Sequence, residues 1–437
     1  MEQRMTGTLY GVSVGPGNPE LLTLQAVRLL RQCPVLAAPQ TASGQMLALD
    51  IARRALGSEL DGKTILPLQF AMSRDAAVLR ASHETAASAV RPFLDAGQDV
   101  AMLNLGDVSI YATFGYLQEI LQAQGYATAM AAGVPSFCAA AARLNQPLTG
   151  GMDAPLTIAP GSRADEVLDA PGTKVLMKTG RQLPALLGTL DAHGALSRSA
   201  LVCSCGLPDE TIFPDCAPAA GWRQGRIFCN GTGKGVTAMV HFVGAGPGAP
   251  DLITRRGAAL LQEADCIIYA GSLVNPALLG LAKPGCAIYN SAEMTLEQVL
   301  DVMRTIEADG KITVRLHTGD PCLYGAIREQ MDALDADDIA YDDTPGVSSF
   351  CGAAAALNAE YTLPTVSQTV IITRMEGRTP VPEREKLASL AAHGATMVIF
   401  LSIGLVDKVQ DALLQGGAYT PDTPAAVVYK ATWPEQK

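Results

Sequence analysis

Short apolar runs alternate with longer stretches whose apolar positions recur at helical spacing along most of the chain. Residues 9–14 read as a buried strand. Over residues 21–30, Leu21, Leu22, Ala26, Leu29 and Leu30 fall on one face of a helix. A second strand is expected over 35–38. Helices follow over 46–56 and 76–94, the second with Ser73 and Asp75 as cap candidates. Residues 99–105 read as a strand, 111–124 as a helix and 127–130 as a strand, and an alanine-rich helix then runs to Leu144. After Pro147 the alternation restarts, with strands over 156–159 and 174–178, a helix over 183–191, and strands over 200–203 and 226–229. Strand and helix in regular alternation predict an α/β fold.

From Val240 the whole order repeats. Gly15-Pro16-Gly17-Asn18-Pro19-Glu20-Leu21-Leu22-Thr23 returns as Gly246-Pro247-Gly248-Ala249-Pro250-Asp251-Leu252-Ile253-Thr254. Gly106-Asp107-Val108-Ser109-Ile110-Tyr111 returns as Gly319-Asp320-Pro321-Cys322-Leu323-Tyr324, and Gly133-Val134-Pro135-Ser136-Phe137-Cys138 as Gly346-Val347-Ser348-Ser349-Phe350-Cys351. Both copies continue through alanines to Leu-Asn, at Leu144-Asn145 and Leu357-Asn358. The last two motifs share an offset of 213 residues, against 231 for the first, as insertions in connecting segments would produce. The repeat divides the chain into a domain over 1–230, a glycine-rich linker over 231–238 and a domain over 239–437. Each is expected to have two lobes, split near residues 150 and 364. Aligning residues 201–208 with 427–434 leaves the second domain without a last strand, so it is expected to be short at its end.

Composition narrows the function. The chain has 437 residues, nearly half of them apolar, and a net charge of −11. That balance argues against nucleic acid as a partner, because phosphate binding needs a positive face. It leaves room for an anionic small molecule in a local basic pocket. The ten cysteines are scattered, with Cys203-Ser204-Cys205 the nearest approach to a pair. They read as buried apolar residues of a reducing cytoplasm rather than a disulfide framework. No apolar run reaches the length of a membrane span, so no membrane partner is expected. The glycine turns alone are weak evidence, since Gly244-x-Gly246-x-Gly248 lacks the dinucleotide-binding spacing.

Taken in order, Gly-x-Gly-Pro-Gly, Gly-Asp-x-x-x-Tyr and Gly-Val-x-Ser-Phe make the chain resemble the tetrapyrrole (corrin/porphyrin) methylase family, twice and over nearly its whole length. The second half is similar to precorrin-4 C11-methyltransferases through Tyr269-Ala270-Gly271-Ser272-Leu273-Val274-Asn275-Pro276, Leu316-His317-Thr318-Gly319-Asp320-Pro321 and Thr373-Arg374-Met375-Glu376-Gly377-Arg378-Thr379-Pro380. The first half is similar to precorrin-2 C20-methyltransferases through Leu9-Tyr10-Gly11-Val12, the run 105–111 and Met177-Lys178-Thr179-Gly180-Arg181. Val108 stands where the family has proline, a departure expected to loosen its loop.

The resemblance implies two tandem methylase domains, each of two α/β lobes with cofactor and substrate between them. It implies a bifunctional C-methyltransferase of cobalamin biosynthesis, with S-adenosyl-L-methionine as methyl donor and S-adenosyl-L-homocysteine as product. The substrate would be a small-molecule tetrapyrrole, metal-free or carrying cobalt. The assembly would be a homodimer, or a pseudo-dimer of the two halves within one chain. Rival readings are a same-fold methyltransferase acting on uroporphyrinogen III, and a chain in which one half serves only for binding or dimerisation.

Methyl transfer from a sulfonium to carbon needs positioning and exclusion of water more than a protein nucleophile. No metal site is expected. Asp107 and Asp320, each after an apolar strand and a glycine (Gly106, Gly319), stand where open α/β sheets bind ligands; the plainer alternative is a helix N-cap. Pro16 and Pro247 would pack on the cofactor or stiffen their turns. Ser136, Phe137, Ser349 and Phe350 would line the adenosine, or else serve as caps and core. The resemblance adds Ile110, Tyr111, Thr318, Leu323, Tyr324 and Ser348 to the cofactor set, with Met177 and Leu401 contacting it through backbone groups and Cys205 and Ala431 on the next strand. A substrate rich in carboxylates calls for basic residues. The candidates are Lys178, Arg181, Arg315, Arg374 and Arg378, with Met375 between the last two. His317, Arg374 and Tyr324 are the catalytic candidates.

Overall fold

The computed structural model describes residues 6–73, 75–149, 154–216, 240–364, 366–376 and 381–437. The expected strand over 226–229 and the linker over 231–238 lie outside them.

The apolar runs of the first half form one parallel sheet from β1 (Thr8–Ser13), β2 (Val35–Gln40), β3 (Thr64–Gln69), β4 (Val100–Asn104) and β5 (Ala127–Ala131), in the order β3-β2-β4-β1-β5. β1 and β4 are mostly or wholly buried, as expected of strands covered by helices on both faces. β3 has no counterpart among the sequence-read strands. Pro67 interrupts its pattern, which is tolerated because β3 is an edge strand. The helix read over 21–30 starts at Leu24, because Pro19–Leu21 is a 3-10 turn and Thr23 caps the helix through Ala26 N. The helix read over 111–124 starts at Phe114, since Tyr111 has φ of 50°. Asp75, not Ser73, caps the helix Ala76–Asp95.

Two further strands, β6 (Leu156–Pro160) and β7 (Thr173–Met177), belong to the second lobe, and β8 (Leu201–Cys203) pairs antiparallel with β9 (Thr211–Phe213). The second half rebuilds the first sheet from β10 (Val240–Gly244), β11 (Cys266–Tyr269), β12 (Ala287–Asn290), β13 (Thr313–His317) and β14 (Tyr341–Thr344). Its order, β12-β11-β13-β10-β14, is the same as that of the first sheet. β15 (Val370–Arg374) and β16 (Thr396–Phe400) follow. Residues 427–429, aligned by sequence with β8, do not form a strand. Tyr429 instead exchanges backbone hydrogen bonds with Lys437.

The halves are built into each other. β15 pairs antiparallel with β6, with Ile371 opposite Thr157, so the second lobes share one four-stranded sheet, β16-β15-β6-β7. At the first lobes Thr23 bridges Thr254. Leu24 N donates to Ile253 O at 3.0 Å and Arg255 N to Leu22 O at 2.9 Å, the same bond in each direction. Phe137 stacks on Phe350 with ring centroids 6.4 Å apart. One apolar core contains both phenylalanines with Leu21, Ile110, Leu156 and Ile158 from one half and Leu252, Leu323, Val370 and Ile372 from the other. At ~25 cal/mol per Å² of apolar surface, so continuous a core binds the halves firmly.

Candidate functional site

The three repeated motifs leave the carboxyl ends of three neighbouring strands in each sheet: β4, β1 and β5 in the first, β13, β10 and β14 in the second. That end of an open parallel sheet, where the connections diverge, is the standard ligand crevice. Gly106 N donates to Gly15 O at 2.8 Å, so the first two loops are stitched together. Gly319 N and Gly246 O meet at 2.9 Å in the second half. A Cβ on Gly106 would lie 3.8 Å from Ser136 N, and one on Gly319 would lie 3.6 Å from Ser349 N. The third motif therefore closes against the second in both copies.

The aspartates do this closing. Asp107 accepts the Gly133 amide at 2.8 Å through one oxygen, and the Ser109 amide (2.9 Å) and hydroxyl through the other. Asp320 accepts from Gly346 N and Cys322 N, each at 3.0 Å. Both are buried, and both stand well before the next helix. The helix N-cap reading is therefore wrong, and the carboxylates' bonds are spent inside the protein. Burial raises the proton affinity of both, carrying Asp320 to about 7. The Cys351 thiol is raised by burial and by the charge of Asp107, and the Cys138 thiol by burial and by that of Asp320, so each aspartate has a buried thiol of the opposite half in its surroundings. Asp343 also sits in this buried group. It takes a bond from the Cys322 thiol at 2.6 Å, and burial together with Asp320's charge raises it well above the carboxylate range.

The tyrosine loops are strapped across the halves as well. Tyr111 N donates to Thr362 Oγ1 at 2.6 Å, and Tyr324 N to Thr149 Oγ1 at 2.9 Å. Tyr361 N reaches Ser109 O at 2.9 Å and Leu148 N reaches Cys322 O at 2.8 Å. The Tyr111 hydroxyl donates to Gln368 O at 2.5 Å. Both tyrosines have positive φ, 50° and 57°. Three other non-glycine pairs share that conformation at corresponding places: Asn145 and Asn358, Lys178 and Leu401, Ser204 and Lys430. Asn145 and Asn358 are left-handed C-caps of their helices, a place asparagine takes readily; the others cost about 1–2 kcal/mol each against ordinary backbone, and strain repeated in register marks their loops as candidates for function.

The lobes meet at the glycine turns. A Cβ on Gly17 would fall 2.3 Å from Cys205 O, and one on Gly248 would fall 2.2 Å from the Trp433 ring. Ala249 N donates to Thr432 Oγ1 at 2.9 Å, next to Ala431. Pro16 and Pro247 are buried there. Met177 and Cys205 pack against the shared core, and Leu401 is 63% exposed with φ of 55°.

Several sequence expectations change. Phe137 and Phe350 are core residues stacked on each other, and Ile110 and Leu323 lie in the same core. Arg315 is buried between sheet and helix, donating to Gln330 Oε1 at 3.0 Å and Ile268 O at 3.1 Å, which removes it from a substrate trough. Burial lowers it to about 10. His317 shares that face of β13; its imidazole is kept neutral by burial and by Arg315, and Nε2 has no protein partner. Thr318 Oγ1 beside it has none either. Tyr324's hydroxyl donates to Ala154 O at 3.2 Å, with Ile372 O at 3.4 Å, so it braces the lobes rather than offering an acid. Arg374 ends β15 opposite Phe400, and Met375 N donates to Ser402 Oγ at 2.9 Å. Arg378 and the Arg181 side chain lie outside the described residues. Val108 does not loosen its loop: its amide, which proline would lack, donates to Ser13 Oγ at 3.0 Å. The second half has Gly244 and Pro321 at those two places, so the residues change together.

Sequence reading missed Thr149, Thr362, Glu360 and Gln368. The threonines were findable, since the repeat extends from Leu-Asn to Thr at the same offset of 213. A cavity of ≈380 Å³ lies in the first half between Tyr111, Ser162, Lys178, Thr179 and, from the second half, Gln368. Among the described residues, no group of three or more His, Cys, Asp and Glu is placed to hold a metal, and no helix is long and apolar enough to cross a membrane.

A family model described as Tetrapyrrole (Corrin/Porphyrin) Methylases matches residues 8–218 and 239–437. The cobalt-precorrin-4 C(11)-methyltransferase of Methanocaldococcus jannaschii is 57% identical over 198 residues, covering 45% of this chain and 76% of that protein. The precorrin-4 C(11)-methyltransferase of Mycobacterium tuberculosis is 48% identical over 199 residues, covering 45% and 79%. These relatives match the second half. Among solved structures, a cobalt precorrin-4 methyltransferase is 50% identical with a TM-score of 0.45, covering 46% of this chain and 83% of that one. A uroporphyrin-III C-methyl transferase from Thermus thermophilus complexed with S-adenosyl homocysteine is 26% identical with a TM-score of 0.38, covering 46% and 81%.

Proposed function

The chain belongs to the tetrapyrrole methylases, S-adenosylmethionine-dependent methyltransferases, and from that premise we propose that it is bifunctional. The first half, about 1–230, methylates precorrin-2 at C20, and the second, about 239–437, methylates precorrin-4 at C11, on the metal-free or cobalt-bearing rings. The observation that carries this reading is the recurrence of all three motifs at the same strand ends of two sheets with the same strand order. The second-half relatives support its assignment.

The residues present fit the cofactor. Gly106, Gly319 and the positive-φ residues Tyr111 and Tyr324 stand in the loops at the strand-end crevice, and the Thr318 hydroxyl there has no protein partner. Pro16, Gly106, Ser136, Met177 and Cys205 would hold it in the first half. Pro247, Thr318, Gly319, Ser348, Ser349, Leu401 and Ala431 would do so in the second. S-adenosylmethionine supplies an electrophilic methyl on a sulfonium. The chain's part is to orient the ring carbon and exclude water. Asp107 and Asp320 act at one remove, fixing the loops whose backbone faces the ligand. Lys178 in the first half and Arg374 in the second receive substrate carboxylates. The electron-rich ring is itself the nucleophile, and the positive charge that methyl transfer leaves on it is released as a ring proton to water.

The test is incubation with labelled S-adenosylmethionine and precorrin-2 or precorrin-4, with and without cobalt, read by mass spectrometry. One methyl on each ring is expected, and two S-adenosylhomocysteine sites per chain by calorimetry. Methylation of none of the four substrates would overturn the function. One cofactor site per chain would favour a half that only binds.

A further inference from the structure

Glu360 belongs to the second half but is bonded to the tyrosine loop of the first half. Its Oε1 accepts the Ala112 amide at 3.2 Å and the Thr362 hydroxyl at 2.9 Å. A Cβ on Gly115 would lie 2.7 Å from its Oε2, so the first-half helix carries a glycine where it passes the carboxyl group. Lys178, from the first half, reaches the same stretch of backbone. Its Nζ lies 3.4 Å from Tyr111 O and 5.0 Å from the centre of the Tyr111 ring. The Tyr111–Ala112 peptide lies between them, its oxygen meeting Lys178 and its N–H donating to Glu360. Burial pushes Glu360 up to about 7 and Lys178 opposes it, while the surrounding protein lowers Lys178 and Glu360 opposes that. The ≈380 Å³ cavity opens at this point, with Lys178 on one wall and Gln368 from the second half on another.

Neither group has a charged counterpart at the second site. The positive-φ residue matching Lys178 is Leu401, and at the offset of 213 the residue matching Glu360 is Pro147. Yet the second site keeps the same architecture, with the Tyr324 loop strapped by Thr149 as the Tyr111 loop is by Thr362. The loop therefore does not need the pair in order to fold. Both members are present at one site and both are missing at the other, which is the pattern of a device for a ligand that only the first site takes.

We propose that Lys178 and Glu360 form a specificity pair across the two halves, in which Lys178 binds a carboxylate of the first site's tetrapyrrole and Glu360 is the positioning residue that fixes the Tyr111–Ala112 peptide on which that ammonium rests and places a negative charge behind it. This rests on the reading that the first half binds a tetrapyrrole.

The experiment compares full-length wild type, K178Q, E360Q and the double variant. Expected for precorrin-2 is a KM raised about tenfold in each single variant, the effect of removing one charge-assisted hydrogen bond, with kcat within about twofold. The double variant should be no worse than either single, because the pair acts as a unit. Precorrin-4 kinetics should not move. An unchanged KM in E360Q, multiplied effects in the double variant, or equal effects on both substrates would overturn the proposal. A second measurement needs no methyl transfer: binding of the stable polycarboxylate uroporphyrin III, followed by its absorbance shift. If wild type leaves precorrin-2 unmethylated but binds the porphyrin about tenfold more tightly than K178Q and E360Q, the first-half reaction is wrong and the pair stands. Equal binding by all the proteins would overturn the pair. Lys178 is exposed, so K178Q keeps the test alive if E360Q folds poorly.

Discussion

The Gly346 amide donates to the Asp320 carboxylate at 3.0 Å, tying the loop after β13 to the loop after β14. Gly133 and Asp107 repeat the bond at 2.8 Å in the first half. The glycine end admits no side chain, because a Cβ on Gly346 would fall 2.2 Å from Gly319 O and 2.7 Å from Gly244 Cα. Backbone closes on backbone, so there is no flexible side chain to give way.

Gly346→Ala should therefore damage the second site and spare the first. A destabilisation of about 1–3 kcal/mol is expected from overpacking, and S-adenosylhomocysteine stoichiometry should fall from two sites per chain to one. Denaturant unfolding and calorimetry measure both. Two sites of unaltered affinity would refute the idea that this closure shapes the cofactor crevice.

Leu401 gives the opposite kind of case. It is 63% exposed yet holds φ of 55°. Leu401→Gly removes strain and little buried surface, so it should raise stability by up to about 1 kcal/mol. If backbone groups here meet the cofactor, second-site affinity should stay within about twofold. A tenfold loss in a titration would show that the leucine side chain itself is needed.

The alternating apolar runs made the sheets legible, because buried parallel strands leave continuous hydrophobic stretches such as 35–38 and 100–103. Self-similarity revealed the doubling. What stayed hidden was the partner of each group. Asp107 and Asp320 look like ligand residues in sequence, but their acceptors are taken by amides 26 residues away. Arg315 looks like a free cation, but it falls on the inner face of β13. Glu360 carries no motif of its own, and its role appears only when the second half is laid against the first. Contacts between halves depend on tertiary packing, which no local pattern encodes.

Glu360 also gives a pH dependence. Burial raises it from 4.5 to about 7 in the folded chain, so between these values the folded state holds a proton that the unfolded state has released. Its contribution to stability is therefore present below about pH 4.5 and is lost as pH rises through about 7. Glu360→Gln cannot titrate. The stability of the variant relative to wild type should improve steadily from pH 4.5 to pH 7.5, measured by denaturant unfolding at each pH. A constant difference would mean that the carboxyl is not buried as described.

The straps make a prediction that reverses ordinary expectation about which half a mutation harms. Thr362 is second-half sequence, but its hydroxyl oxygen accepts the Tyr111 amide of the first site. Thr149 is first-half sequence and accepts the Tyr324 amide of the second. Both threonines are buried, so valine would keep their shape and leave a tyrosine amide without its partner. Such a change costs about 1–3 kcal/mol, or roughly tenfold in affinity where the loop meets the ligand. Thr362→Val should weaken S-adenosylhomocysteine at the first site, and Thr149→Val at the second. The Gly346→Ala background, with one site silenced, tells the two apart. If each valine instead weakened only the site of its own half, the straps would be packing contacts without influence on the crevice. If each acts across the interface, neither half is a complete enzyme alone.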